Sequence, residues 1–218
     1  MRLLVDHVQT YLENLRPERS EVMREMEALA DRDGVPIVEW ETGRLLATLV
    51  AALQPRAVLE FGTAIGYSTL HMAEQLRGGR IWTLERDENR IAQARDFFAR
   101  AGVADRIEIV EGDALETARR LDGPFDLVFV DGSKDEYRRY VELAEPKLSD
   151  PALLVVDNLL MSGEVALPEG AETRWRPQAL AAARAFNEEL VRSTDWVGTV
   201  LSVGDGVGLA CRAQAESR

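Results

Sequence analysis

Two short segments concentrate the side chains able to do chemistry. The apolar run Phe125–Val130 ends in Asp131-Gly132-Ser133-Lys134, and Leu153–Val156 ends in Asp157-Asn158. Asp131 and Asp157 lie 26 residues apart, room for one helix and a return to a neighbouring parallel strand. Two carboxylates and an amide oxygen would then converge at one sheet edge, a donor set suited to a hard divalent cation. The alternative is that these residues are helix caps and loop-facing polar groups, which strand ends commonly carry. Lys134 weighs against that alternative, because the chain has only two lysines, Lys134 and Lys147, among its 26 basic residues. Lysine, unlike arginine, gives up its proton in a suitable environment. A nearby dication disfavours the ammonium form, as a general base requires. Lys147 reads as a surface charge at a helix C-terminus.

A second group begins at Glu60-Phe61-Gly62-Thr63-Ala64-Ile65-Gly66-Tyr67-Ser68, directly after an apolar run. Its glycines permit a tight turn and close backbone approach to a ligand, and Ser68 stands at the start of the next helix. The spacing is neither the dinucleotide fingerprint nor a lysine-bearing phosphate loop. Nineteen residues after Gly66, Glu85 ends the next run, where a carboxylate either accepts from both hydroxyls of a ribose or is simply solvated. Asp113, in Gly112-Asp113-Ala114, either meets an adenine amino group or caps the following helix.

These residues need a scaffold that brings strand ends together. Short β-rich runs at Ala57–Phe61, Ile81–Leu84, Ile107–Val110, Phe125–Val130 and Leu153–Val156 alternate with amphipathic stretches. That rhythm predicts a doubly wound α/β domain with a mostly parallel sheet, whose ligands bind beyond the strands' carboxyl ends. Trp196–Val203 and Val207–Cys211 around Gly204-Asp205-Gly206 predict an antiparallel strand pair, preceded by a helix through Leu180, Phe186 and Leu190. Residues 1–54 read as an N-terminal helical extension packed on the core, with Thr42 as a helix cap, and residues 55–218 as the ligand-binding domain.

Composition narrows the chemistry further. One cysteine, Cys211, and two histidines, His7 and His71, exclude an intramolecular disulfide and the usual nitrogen–sulfur zinc cage. Both histidines read as satisfied helix-surface or core residues, and Cys211 as a small core residue. The start, Met1 to His7, lacks signal-peptide form and no apolar stretch is long enough for a bilayer, so a soluble cytoplasmic setting is expected. A formal net charge of −12 argues against general binding to nucleic acid or anionic membranes.

Taken together, Val58–Ser68, Asp131–Tyr137 and Asp157-Asn158 resemble the metal-dependent class I O-methyltransferases. This is the family of catechol and caffeoyl-coenzyme A O-methyltransferases and their bacterial relatives. The resemblance runs from about Pro36 to Gly206 and implies a Rossmann-like methyltransferase fold with S-adenosylmethionine as methyl donor. It implies that Glu60, Gly62, Gly66 and Ser68 hold the methionine portion, Glu85 the ribose, and Asp113 with Ala114 the adenine. Val38 would line the cofactor pocket. Asp131, Asp157 and Asn158 match the family's metal ligands, with magnesium ahead of manganese or calcium. Asp131 counts with both the cofactor-binding and the catalytic positions, and Lys134 matches the proposed base. Gly132-Ser133 departs from the alanine and aspartate of many relatives, which bears on substrate contacts.

The acceptor implied is a small aromatic molecule with two neighbouring hydroxyls. The alternative acceptor is 5-hydroxyuridine at the tRNA wobble position, for which the loop carrying Glu164 and Glu169, followed by Arg174 and Arg176, gives mixed charge. A third reading is a non-catalytic nucleoside-binding protein. Trp40 and Trp175 either wall an aromatic pocket or pack structurally. The N-terminal helices either cover the site or form a homodimer contact, as in relatives.

Overall fold

A computed structural model of the protein describes residues 5–168 and 170–213; residues 1–4 of the signal-peptide reading and Glu169 of the acidic loop lie outside them. The five β-rich runs become β1 (Ala57–Phe61), β2 (Arg80–Glu85), β3 (Ile107–Glu111), β4 (Phe125–Val130) and β5 (Leu148–Val156). With β6 (Trp196–Leu201) and β7 (Val207–Arg212) they form one seven-stranded sheet in the order β3-β2-β1-β4-β5-β7-β6. The first five strands are parallel, and β7 runs antiparallel to both β5 and β6. The order reverses between β1 and β4, so the carboxyl ends of these two strands flank the switch-point crevice where such sheets bind ligands.

Helices cover both faces. α2 (Glu21–Asp33), α3 (Trp40–Leu53), α4 (Tyr67–Ala73) and α5 (Glu88–Arg100) contribute to one core, built around Met26, Leu46, Val50, Leu70 and Phe98. α6 (Ala114–Arg120), α7 (Tyr137–Ala144) and α8 (Pro177–Arg192) contribute to the other, around Phe61, Val128, Tyr140 and Phe186. The helix starts follow local chemistry. The Ser20 hydroxyl accepts from the Met23 amide at the head of α2, and Asp87 accepts from the amides of Asn89 and Arg90 at the head of α5. Met23, Met26 and Ala30 of α2 share their core with strand residues such as Val58 and Phe129, so the N-terminal helices and the sheet bury one continuous apolar mass.

Four local expectations change. α3 begins at Trp40 with Glu39 as its N-cap residue, and Thr42 lies fully buried inside the first turn rather than capping it. Cys211 is exposed. It pairs with Val197, itself 71% exposed, on the face of β6 and β7 opposite the one where Gly198 meets α8. α1 (Asp6–Asn14) buries none of its residues, leaving Tyr11 and Leu12 in solvent with the flanking Val5 and Leu15. Lys147 caps a neighbouring helix instead of its own, donating to the carbonyls of Ala118, Arg119 and Leu121 at the end of α6.

Candidate active site

Strand register sets the site. The Asp131 amide donates to the Phe61 carbonyl (2.9 Å) and the Asp157 amide to the Val130 carbonyl (3.0 Å), so Gly62, Asp131 and Asp157 stand side by side just past β1, β4 and β5. Gly62 has φ +101°, and a Cβ there would lie 2.4 Å from the Asp131 carbonyl oxygen. Only glycine gives both that backbone conformation and that approach.

A cavity of about 350 Å³ opens along this edge. Val38, Gly62, Ser68, Glu85, Asp113, Ala114, Asp131, Lys134 and Asn158 all line it. The Glu85 carboxylate is fixed by three backbone amides: Ala64 (2.9 Å), Arg86 (2.8 Å) and Asp87 (3.0 Å). Asp113 caps α6 through the amides of Leu115 and Glu116 and also lines the cavity. Gly66, at φ +89°, turns the chain into α4, and a Cβ there would strike the ring of Phe98.

Glu60 is placed differently from its expected contact with a ligand. It is fully buried and does not line the cavity; its carboxylate accepts from the hydroxyls of Ser68 and Thr69, each at 2.5 Å. Burial pushes its carboxyl above the usual range, opposed by those two donors. Its place on an inward-facing position of β1 makes it the support of the turn, holding Ser68 from beneath.

At the other end of the cavity the Lys134 Nζ donates to Asn158 Oδ1 (2.7 Å) and lies 5.9 Å from the Trp175 ring centroid. Asn158 has φ +58°, an uncommon backbone state of the kind found where function constrains the chain. Asp157 is fully buried, and neither carboxylate oxygen has a hydrogen-bond partner among the described residues. Its carboxyl is pushed upward first by burial and then by the charges of Glu39 and Asp205. The Asn158 amide and the Lys134 charge oppose that rise, the amide without a well-formed hydrogen bond. Asp131 is raised well above the usual range by burial and then by Asp157. Buried Asp157 and cavity-lining Asp131 both resist ionisation beside a third oxygen donor, so a positive charge placed among them would be favoured. Among the described residues no group of three or more His, Cys, Asp or Glu stands together to hold a metal ion.

A smaller hollow of about 40 Å³ shares Lys134 and Asn158 with the main cavity and is walled by Tyr137, Met161 and Phe186. The Gly132 departure has a steric cause, since a Cβ there would lie 2.7 Å from the Tyr140 ring. Trp40 does not join the site: it stacks under Arg16 and borders a separate hollow with His71. His71 is a buried core histidine whose Nε2 has no hydrogen-bond partner among the described residues. Glu39 and Asp205, both felt by Asp157, escaped the sequence reading; Asp205 stood in it only as part of a turn.

The sequence profile of the O-methyltransferase family matches residues 13–213. The chain belongs to the O-methyltransferase family. It is 41% identical over 147 residues to a catechol O-methyltransferase of Mycobacterium tuberculosis, covering 63% of this chain and 66% of that protein. A catechol O-methyltransferase of Niastella koreensis is 36% identical over 77% of this chain and 78% of its own length. Among solved structures, the O-methyltransferase TomG from Streptomyces achromogenes, in complex with SAM, superposes with a TM-score of 0.83 at 30% identity, covering 95% of this chain and 96% of that one. An O-methyltransferase from Bacillus cereus in complex with SAH gives a TM-score of 0.81 at 27% identity, covering 94% and 97%. This O-methyltransferase is thus an S-adenosylmethionine-dependent enzyme, which sets aside the reading as a non-catalytic nucleoside binder. Among its described residues no helix is long and apolar enough to cross a membrane.

Proposed function

We propose that this methyltransferase transfers a methyl group to one hydroxyl of a small aromatic vicinal diol of the catechol class, with a divalent cation, magnesium foremost, held by Asp131, Asp157 and Asn158. The observation that carries this reading is Asp157: a fully buried carboxylate with both oxygens unpartnered among the described residues, beside Asp131 and Asn158. An all-oxygen donor set with two carboxylates fits a hard cation and would remove the desolvation cost that raises both carboxyls. The names of the Mycobacterium and Niastella relatives support the catechol class. The Trp175 ring near Lys134 supports an aromatic acceptor.

The chain's residues divide the work. Val38, Gly62 and Ser68 enclose one end of the cavity, while Glu85 presents a carboxylate already oriented by three amides to the donor's ribose. Asp113 and Ala114, which line the same cavity, are assigned to the donor's adenine. A dication held by Asp131, Asp157 and Asn158 would supply Lewis acidity, favouring ionisation of an acceptor hydroxyl. Lys134, once free of Asn158, is placed to act as the base toward that hydroxyl, and a methyl donor held in the cavity would supply the sulfonium methyl to the resulting oxygen, its sulfur leaving as a neutral thioether. Holding the two reactants at attack distance contributes up to about 7–11 kcal/mol.

Labelled methyl transfer to catechol, with magnesium and then with excess chelator, tests the reading. Product that disappears with chelator and in Asp157→Ala, while the variant still binds S-adenosylhomocysteine, is the expected result. Chelator-insensitive product, or full activity in Asp157→Ala, removes the metal assignment. Intact cofactor binding without transfer to catechol, but with transfer to undermodified tRNA, replaces the acceptor class.

A further inference from the structure

We infer that Glu27, on a helix outside the sheet domain, is a positioning residue for the methyl donor, acting through Tyr67. Tyr67 lines the cofactor cavity and is 2% exposed. Its hydroxyl donates to Glu27 Oε1 across 40 residues of sequence (2.6 Å), and Glu27 Oε2 accepts from Arg19 Nε (2.9 Å). The ring is also held edge-on by His71, with centroids 4.9 Å apart. Arg19 belongs to the linker between α1 and α2, and Arg16 of the same linker donates to Glu41 in the first turn of α3 (2.6 Å). That turn follows directly on Pro36, Ile37 and Val38, which form a neighbouring wall of the cavity. One short linker therefore ties down two walls of the cofactor site.

Anchoring α2 does not require this chain, because Met23, Met26 and Ala30 already bury that helix in the core. Apolar contact is non-directional, whereas a half-buried tyrosine–carboxylate–guanidinium relay fixes the orientation of one ring. A half-buried ion pair contributes little to stability in itself, so the consequence belongs in the geometry of the ring rather than in the fold. Cofactor affinity thereby depends on residues 16–27 as well as on the glycine turn.

The inference rests on the cavity being the S-adenosylmethionine site, and the test separates the two. S-adenosylhomocysteine binding to the full chain is measured calorimetrically without metal, together with Tm, for wild type, Tyr67→Phe, Glu27→Ala, Glu27→Gln and the double variant Tyr67→Phe/Glu27→Ala. Tyr67→Phe keeps the wall but releases the tie, and Glu27→Gln keeps an acceptor for the hydroxyl. The expected result is a Kd raised roughly three- to tenfold in Tyr67→Phe and Glu27→Ala, no further loss in the double variant, and near wild-type affinity in Glu27→Gln. A lowered Tm with unchanged Kd in both single variants, or losses that add in the double variant, overturns the inference. Absence of binding in wild type overturns the cavity assignment instead.

Discussion

Asp157 and His71 are both buried where their charged forms are disfavoured, and their opposite charge types give opposite pH signatures. The Asp157 carboxyl is raised, so the folded protein holds a proton that the unfolded chain has already released. Its contribution to metal-free stability therefore falls as pH rises through the range above an ordinary carboxylate. Asp157→Asn should raise the Tm of the metal-free protein at pH 8 relative to wild type, and the difference should shrink as the pH falls towards that of an ordinary carboxylate. Magnesium should raise the wild-type Tm at pH 8 and not that of the variant. A variant less stable than wild type at pH 8 without metal contradicts the electrostatic account. His71 is lowered to about 4, first by burial and then by Arg44. Below pH 6.5 the unfolded chain binds a proton that the folded protein refuses, so stability declines towards pH 4 by at most about 3 kcal/mol. Proton NMR reads this directly: the ring signals of His71 should stay fixed between pH 8 and 5. A His71 midpoint near 6.5 rejects the assignment. Lys134 has its own signature at this scale. Lys134→Met should lower kcat by roughly 10²–10⁴ while leaving S-adenosylhomocysteine affinity intact, as for loss of a general base.

The turn between β1 and α4 has to pass between the ends of β2 and β4. The amides of Gly62 and Thr63 both donate to the Leu84 carbonyl, while the Gly62 Cα faces the Asp131 carbonyl. Gly62→Ala forces a Cβ into that carbonyl at φ +101° and should cost roughly 2–4 kcal/mol, displacing Asp131 as it does so. Thermal unfolding and cofactor titration check the pair of effects; a variant with wild-type Tm and affinity contradicts the contact. The elements were legible in the sequence because they rest on local properties. The largely apolar runs Ala57–Phe61 and Phe125–Val130 matched β1 and β4 to the residue, since strands buried on both faces carry little alternation to blur their ends. Thr42 misled because cap preference is only a local bias: burying its helix face beneath Gly204 outweighed that bias and moved the helix start to Trp40.

Across the whole molecule, the unusual feature is α1, whose apolar side chains have the spacing of a packed helix but no core beneath them. A homodimer that covers Tyr11, Leu12 and Leu15 is the expected outcome of sedimentation at micromolar concentration, and Leu12→Asp should shift it towards monomer. A wild-type chain that sediments as a monomer at all concentrations removes this proposal. The sequence by itself determined the chemical inventory and the strand rhythm. The glycine turn, Glu85, Asp131, Lys134, Asp157 and Asn158 stand at run ends because residue type and short-range periodicity are written directly in the chain, while the methyl donor came from the family resemblance those residues carry. The tertiary structure alone decided what surrounds them. That Asp157 is unpartnered, that Glu85 is cradled by the Ala64 amide, that Glu60 supports the turn from beneath, and that Glu27 holds Tyr67 all depend on strand order and register. Those contacts join residues distant in sequence, and only the burial of the shared core brings them within hydrogen-bonding range.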